Sequence, residues 1–220
     1  MTEGTRLLRR TSGALRDGHD GQGGSGGDNP SRGRYRSAMT TDKTRAPVPD
    51  NLSDPHGYQR HLVGLLGGDD PAAVQAASGD AWRALLAGSG PALRVRPAPA
   101  EWSAIECLGH APDAEIVMSG RYRWALAEDR PELLGYDQDL WVAAIGHRDA
   151  DPDALLGLFG ALRDANIALW ARTSAEGRAR TALHRERGPE SVDLMFRMIA
   201  GHDRFHLAQA RRALEAAHRS

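Results

Sequence analysis

The chain has 220 residues, with 28 Lys and Arg against 29 Asp and Glu, for a net charge of −1. This balance argues against a surface for nucleic acid. Its single cysteine, Cys107, excludes an intrachain disulfide and fits a reducing, cytoplasmic compartment. No apolar run approaches the ~20 residues of a membrane span, so no membrane partner is expected.

The first 38 residues differ in composition from the rest of the chain. Nine of them are glycine and seven are arginine, and the longest apolar run is Leu7-Leu8. This composition predicts a disordered extension over residues 1–38. Met39 begins a stretch that looks like an ordinary protein start, so the hypothesis is that the extension comes from a start codon assigned too far upstream. Residues 39–51 are then a polar, proline-rich linker, and residues 52–217 are the folded domain.

Helix signals recur along the folded domain. Asp70-Pro71 and Asp151-Pro152 each place an N-cap before a proline at the first helical position. Ser103 and Glu106 have the spacing of a capping box at the start of a long helix. The connections over 130–150 and 173–190 are predicted to be mostly loop. The predicted helices cover residues 55–66, 70–87, 104–128, 152–172 and 191–217. The last four are long, and they favour an all-α fold, an antiparallel four-helix bundle.

Three histidines stand out. His202 and His206 are four residues apart, which places them one turn apart on the apolar face of the last helix. A buried imidazole needs a hydrogen-bond partner or a metal, so the pair is either two satisfied core histidines or a metal clamp. His110 also faces the core, from the helix that follows the capping box. Three imidazoles from two facing helices leave a coordination position open, as in catalytic zinc sites.

Four further side chains are candidates for the site or its alternatives. Arg121 shares the face of His110 and either extends its charge to the helix end or binds an anion. Asn166 is the polar member of an inner face; it either satisfies a buried backbone group or lines the histidine pocket. Cys107 lies one turn from His110, where a core cysteine is favoured over a nucleophile. His184 is interpreted as a loop histidine rather than a ligand.

The last helix carries a second apolar stripe, away from the histidine face. A helix with two apolar stripes can bury one within the subunit and present the other to another helix or to a partner. A homodimer is therefore predicted. The stripe consists of Phe196, Ala200, Leu207 and Leu214.

Together these motifs resemble the DinB/YfiT-like superfamily of metal-dependent enzymes over about residues 52–217. The motifs are Glu101-Trp102-Ser103-Ala104-Ile105-Glu106-Cys107-Leu108-Gly109-His110, Asp113-Ala114-Glu115, Tyr136-Asp137-Gln138-Asp139-Leu140-Trp141, His184-Arg185-Glu186-Arg187-Gly188-Pro189-Glu190-Ser191 and His202-Asp203-Arg204-Phe205-His206-Leu207-Ala208-Gln209. The resemblance implies an up-down-down-up type bundle, often dimeric. It also implies a divalent metal bound by His110, His202 and His206. Characterised relatives include thiol-dependent transferases and isomerases that use mycothiol or bacillithiol.

The expected function is a metal-dependent enzyme acting on a small molecule. A zinc, nickel or iron ion would activate either a low-molecular-weight thiol such as mycothiol, for S-transfer or isomerisation, or a water, for hydrolysis. Arg121 and Asn166 are the candidates for substrate orientation. The alternatives are a non-catalytic bundle that binds metal or a small ligand in a stress-linked role, and a bundle whose histidines hold no metal. Pro112 departs from the family pattern and predicts a kink that re-aims His110.

Overall fold

A computed structural model describes Pro49 and residues 53–219. The predictions for residues 1–38, and for all but one residue of the 39–51 linker, lie outside this part of the chain. The helices, in chain order, are α1 (Pro55–Leu66), α2 (Pro71–Leu86), α3 (Ala104–Ala127), α4 (Gln138–Ile145), α5 (Pro152–Arg172), α6 (Ala175–Ala179) and α7 (Val192–Ala217).

The four long helices α2, α3, α5 and α7 form the predicted bundle. Around its circumference α2 contacts α5, α5 contacts α3, α3 contacts α7, and α7 closes the ring against α2. Helices consecutive along the chain are thus not always neighbours, since α2 lies diagonally from α3 and α5 from α7. The arrangement places α3 directly beside α7, the two helices that carry the three histidines. Helix α1 packs on the outside of α7.

The predicted N-caps begin the bundle helices as expected. The carboxylates of Asp70 and Asp151 accept hydrogen bonds from backbone N–H groups in the first turns of α2 and α5. At α3, the Glu106 carboxylate accepts from both the backbone N–H and the hydroxyl of Ser103, at 2.8 Å each. These side chains satisfy donors that a helix start leaves without intrahelical partners.

The two connections predicted as mostly loop contain regular structure. Residues 130–150 include helix α4 and a short strand, β1 (Glu132–Leu133). Residues 173–190 include α6 and most of a hairpin of β2 (Thr181–His184) and β3 (Gly188–Ser191). Strand β2 pairs antiparallel with β3 and parallel with β1, in the order β1-β2-β3. The strands are too short to show a period-2 pattern, which is why the sequence did not predict them.

Most of both apolar stripes of α7 is covered within the chain. On the stripe away from the histidines, Phe196 stacks on Trp170 of α5 with ring centroids 4.0 Å apart, and Ala200 is fully buried. Leu214 is also buried, whereas Leu207 is half-buried, and the homodimer stays a prediction.

Helix α5 has the length of a membrane span, although Arg163 and Asp164 interrupt its apolar run. Among the described residues it is the one helix long and apolar enough to cross a membrane by length and composition, and 22% of the relevant stretch is buried. In the structure, α5 packs against α2 and α3 and carries the buried side chain of Arg163.

Pro112 does not end α3. The helix runs from Ala104 to Ala127 with Pro112 inside it. The ring of His147 packs against α3 at Gly109, where a Cβ would lie 2.3 Å from that ring. The absent side chain of Gly109 therefore lets His147 pack directly on α3, one residue from His110.

Candidate metal centre

The structure brings His110, His202 and His206 together inside the bundle. Each has a ring nitrogen, and these potential ligand atoms lie within 4.8 Å of one another. The three side chains are buried, with exposed fractions of 0%, 7% and 1% respectively. The one-turn spacing of His202 and His206 on α7, opposite His110 on α3, produces this convergence.

Hydrogen bonding leaves ring nitrogens available for a ligand. Nδ1 of His206 is 2.9 Å from Gln209 Oε1, which can only accept, so Nδ1 carries the proton and Nε2 keeps a lone pair. That Nε2 atom has no hydrogen-bond partner in the described part of the chain, and neither has Nδ1 of His110. The Nε2 atoms of His110 and His202 face each other at 3.0 Å.

Burial keeps the three imidazoles neutral. Desolvation is the main cause that lowers the pKa of each ring, and the neighbouring histidines lower the pKa values of His110 and His202 further. For His206 the pKa falls to about 4. Neutral imidazole is the form that binds a metal, so near pH 7 the cluster is ready for an ion without losing protons.

Aromatic rings close one side of the cluster. The ring of Trp102 stacks on His206 with centroids 5.7 Å apart and planes 18° apart, and lies 5.1 Å from the His110 ring. Trp102 is itself 8% exposed. Water and ligands therefore have to approach from another direction.

An apolar pocket reaches the cluster at His202. It has a cavity volume of about 80 Å³, and its polar lining includes Arg121, Tyr136, Gln138, Glu186, Arg187 and Glu190. The volume is below the range of about 300–1,000 Å³ for drug-sized ligands, so the enclosed part suits a small molecule or one end of a larger one. Much of the remaining wall comes from Leu62, Met118, Met195, Met198 and Ile199.

Comparison with known proteins shows to which family this chain belongs. The model of the DinB superfamily matches residues 72–210, which is more than half of the chain. This chain belongs to the DinB superfamily. Among solved structures it is similar to YfiT from Bacillus subtilis, described as a probable metal-dependent hydrolase with an unusual four-helix bundle topology. The TM-score is 0.57 at 18% identity, over 77% of this chain and 91% of YfiT. No curated protein matches the chain.

Of the two orientation candidates in this DinB chain, only Arg121 lines the pocket. Asn166 instead uses both ends of its amide within the bundle: its nitrogen donates to Glu115 Oε2 at 2.7 Å and its oxygen accepts from Ser119 at 3.0 Å. It therefore neither satisfies a backbone group nor lines the histidine pocket, contrary to both expectations. It belongs to a polar network that also contains Arg163.

Cys107 belongs to the core and not to the metal cluster. Its side chain is fully buried among apolar residues, and burial raises the pKa of its thiol, with Glu106 as a further cause. A raised pKa keeps the thiol protonated and unreactive. The interpretation as a core cysteine is consistent with this environment.

Sequence reasoning missed two buried histidines near the site. His147 follows α4 and its Nε2 lies 2.7 Å from Asp113 Oδ2, in a buried pair beside His110. His184, interpreted as a loop residue, lies on β2, is 2% exposed and contacts Arg121. For His147, the available sequence signal was Gly109, a position on α3 where a side chain would exclude the His147 ring.

Proposed function

We propose that this member of the DinB superfamily is a metal-dependent enzyme whose divalent metal is held by His110, His202 and His206. The observation that carries the proposal is the convergence of three buried, neutral imidazoles, with unpartnered nitrogens on two of them. A buried polar atom without a partner costs about 1–3 kcal/mol, and a bound ion would remove that cost. The donor set suits zinc, nickel or iron.

Gln209, Trp102 and His202 each support the proposed metal site. Gln209 fixes the tautomer of His206, so that Nε2 points its lone pair into the cluster. Trp102 covers one side of the cluster and keeps bulk water from it. His202 lies where the pocket meets the cluster, so a substrate in the pocket approaches from that side.

Three protein ligands leave a coordination position for a reactant. When bound there, the metal supplies Lewis acidity, which lowers the pKa of a thiol or a water. The proposed reactions are S-transfer or isomerisation with a low-molecular-weight thiol such as mycothiol, or hydrolysis with water. Arg121 is the group in the pocket that orients the substrate.

Elemental analysis of metal per chain on tag-free protein tests the proposal. We expect near-stoichiometric metal in the wild type and its loss in His206→Ala, because two imidazoles hold an ion far more weakly than three. His218→Ala is the matched control, since His218 lies just after α7 and is exposed. It should keep the metal.

Turnover separates an enzyme from a binding protein. Thiol-transfer and hydrolysis screens on the metal-loaded wild type should reveal an activity that His206→Ala lacks. A wild-type chain that takes up no metal, even after reconstitution with zinc, nickel and iron, would contradict the metal site. A chain that binds metal but turns over nothing would favour the non-catalytic alternative.

A further inference from the structure

The guanidinium of Arg121 is buried without a counter-charge. The side chain is 6% exposed, and within the described part of the chain no carboxylate lies within ion-pair distance of it. One of its amino groups donates to the carbonyl oxygen of Leu134 and lies 3.3 Å from Nε2 of His184. Neither acceptor is negative, and burial lowers the pKa of Arg121, helped by the nearby Arg187.

The ring of His184 has a second donor that competes with Arg121. A second donor, the backbone N–H of Glu186, lies 3.3 Å from the other ring nitrogen, Nδ1. The pKa of His184 is lowered to about 4 by burial and by both nearby arginines, so the ring is neutral. A neutral imidazole accepts at one nitrogen only, so the ring cannot accept from both Arg121 and Glu186.

The acidic groups nearest to Arg121 do not neutralise it. Glu190 is bound by Arg187, at 2.6 and 3.1 Å, and also accepts from Gln59. Glu186 lines the pocket but is exposed at its mouth, where water screens its charge. Tyr136 has its pKa raised by burial and is therefore a neutral phenol.

A buried charge without a partner is unfavourable, and a ligand of opposite charge removes the penalty. Arg121 faces a pocket that is mainly apolar and continues to His202, although Arg187, Glu186 and Glu190 also lie in its lining. The planar fork of a guanidinium matches a carboxylate, with which it forms two parallel hydrogen bonds.

We infer that the pocket binds an organic carboxylate with an apolar body: Arg121 holds the carboxylate, and the methionine-lined wall holds the body. The inference identifies the substrate class of the proposed enzyme, and to that extent it rests on the proposed function. Seated in this way, the molecule extends from Arg121 toward His202.

The test compares hexanoate with hexanamide, which have the same apolar chain and differ in charge. Isothermal titration of the full chain should show hexanoate binding roughly 10- to 100-fold more tightly, the range for a hydrogen bond to a charged group. In Arg121→Gln the two probes should bind alike. Arg123→Gln is the matched control: Arg123 lies two residues along the same helix, is exposed and does not line the pocket, so the preference should persist.

A bound metal also attracts carboxylates, so each titration is repeated after chelation. A preference that survives chelation and disappears in Arg121→Gln supports the inference. Equal binding of the two probes by the wild type overturns it, whether or not the variant folds. A preference that chelation abolishes assigns the carboxylate to the metal and also overturns it. A chain that proves to bind no metal defeats the proposed function but leaves this test intact.

Discussion

Two buried arginines on neighbouring helices of the bundle have opposite surroundings. Arg163 on α5 is 3% exposed and forms a bidentate pair with Asp203, at 2.6 and 2.8 Å, with Glu115 at 2.9 Å. Arg121 on α3 is 6% exposed and contacts only neutral acceptors. The first arginine ties α3, α5 and α7 together; the second has its charge free for a molecule from outside.

The pKa shifts of the two side chains reflect this difference. Burial lowers the pKa of both guanidinium groups. For Arg163 the carboxylates of Asp203 and Glu115 outweigh burial, so its pKa is raised overall. For Arg121 no carboxylate does so, and its pKa is lowered. Equal burial therefore does not imply an equal role.

The largest effect is expected from Arg163→Met. Removing the guanidinium leaves two carboxylates buried without a counter-charge, and breaking a buried ion pair in this way costs about 3–5 kcal/mol. The free energy of unfolding from urea titration measures the loss. Arg172→Met is the control, since Arg172 is exposed at the end of the same helix. A loss below about 1 kcal/mol would show that the network is not structural.

A change of pH should have a smaller effect on stability. Its sign should be opposite for the histidine cluster and for the network around Arg163. In metal-free protein the pKa of His206 is about 4, below its ordinary 6.5, so the unfolded chain takes up the proton first as pH falls. The folded state then loses stability between pH 6.5 and 4, by at most about 1.4 kcal/mol per pH unit for each such histidine. Thermal unfolding of metal-free wild type and His206→Gln should give a shallower slope for the variant, and equal slopes would contradict it.

The network around Arg163 responds in the other direction. Burial raises the pKa values of Glu115 and Asp203 above their ordinary 4.5 and 3.8, and the lowering effect of Arg163 does not outweigh it. The folded state therefore binds these protons before the unfolded chain does, and acidification through this range stabilises it. Glu115→Gln should remove part of that compensation and steepen the acid loss of stability. An unchanged slope would show that the Glu115 carboxyl does not titrate differently on folding.

The smallest effect is expected from Arg121→Met. The substitution removes an uncompensated buried charge and fills the same space with an apolar side chain. The free energy of unfolding should therefore change by no more than about 1 kcal/mol, in either direction. A loss of about 3 kcal/mol in urea titration would instead mean that Arg121, like Arg163, holds the fold together.

Local sequence signals predicted much of the bundle and the histidine cluster. The caps at Asp70, Ser103 and Asp151 immediately precede the helices they begin. The four-residue spacing of His202 and His206 fixes their common face. To place His110 beside this pair, the prediction needed only that α3 packs against α7. The roles of these histidines as metal ligands stay predictions.

Long-range contacts were beyond the same reasoning. The sequence pattern places Asn166 on the inner face of α5 but does not identify Arg163, which the structure also buries there. Phe159, Arg163, Asn166 and Trp170 do have helical spacing, but an arginine on a buried stripe is predicted only if its carboxylates are known. Those carboxylates come from α3 and α7, at positions no local pattern connects.

The methionines of the pocket wall bear on selectivity. Met118, Met195 and Met198 come from two helices and line the space between Arg121 and His202. Unbranched, rotatable side chains adapt to different shapes, so such a wall discriminates poorly among apolar bodies. Recognition in this pocket would then be strict at the charged end of a molecule and permissive along its length, so that one site accepts a series of homologues.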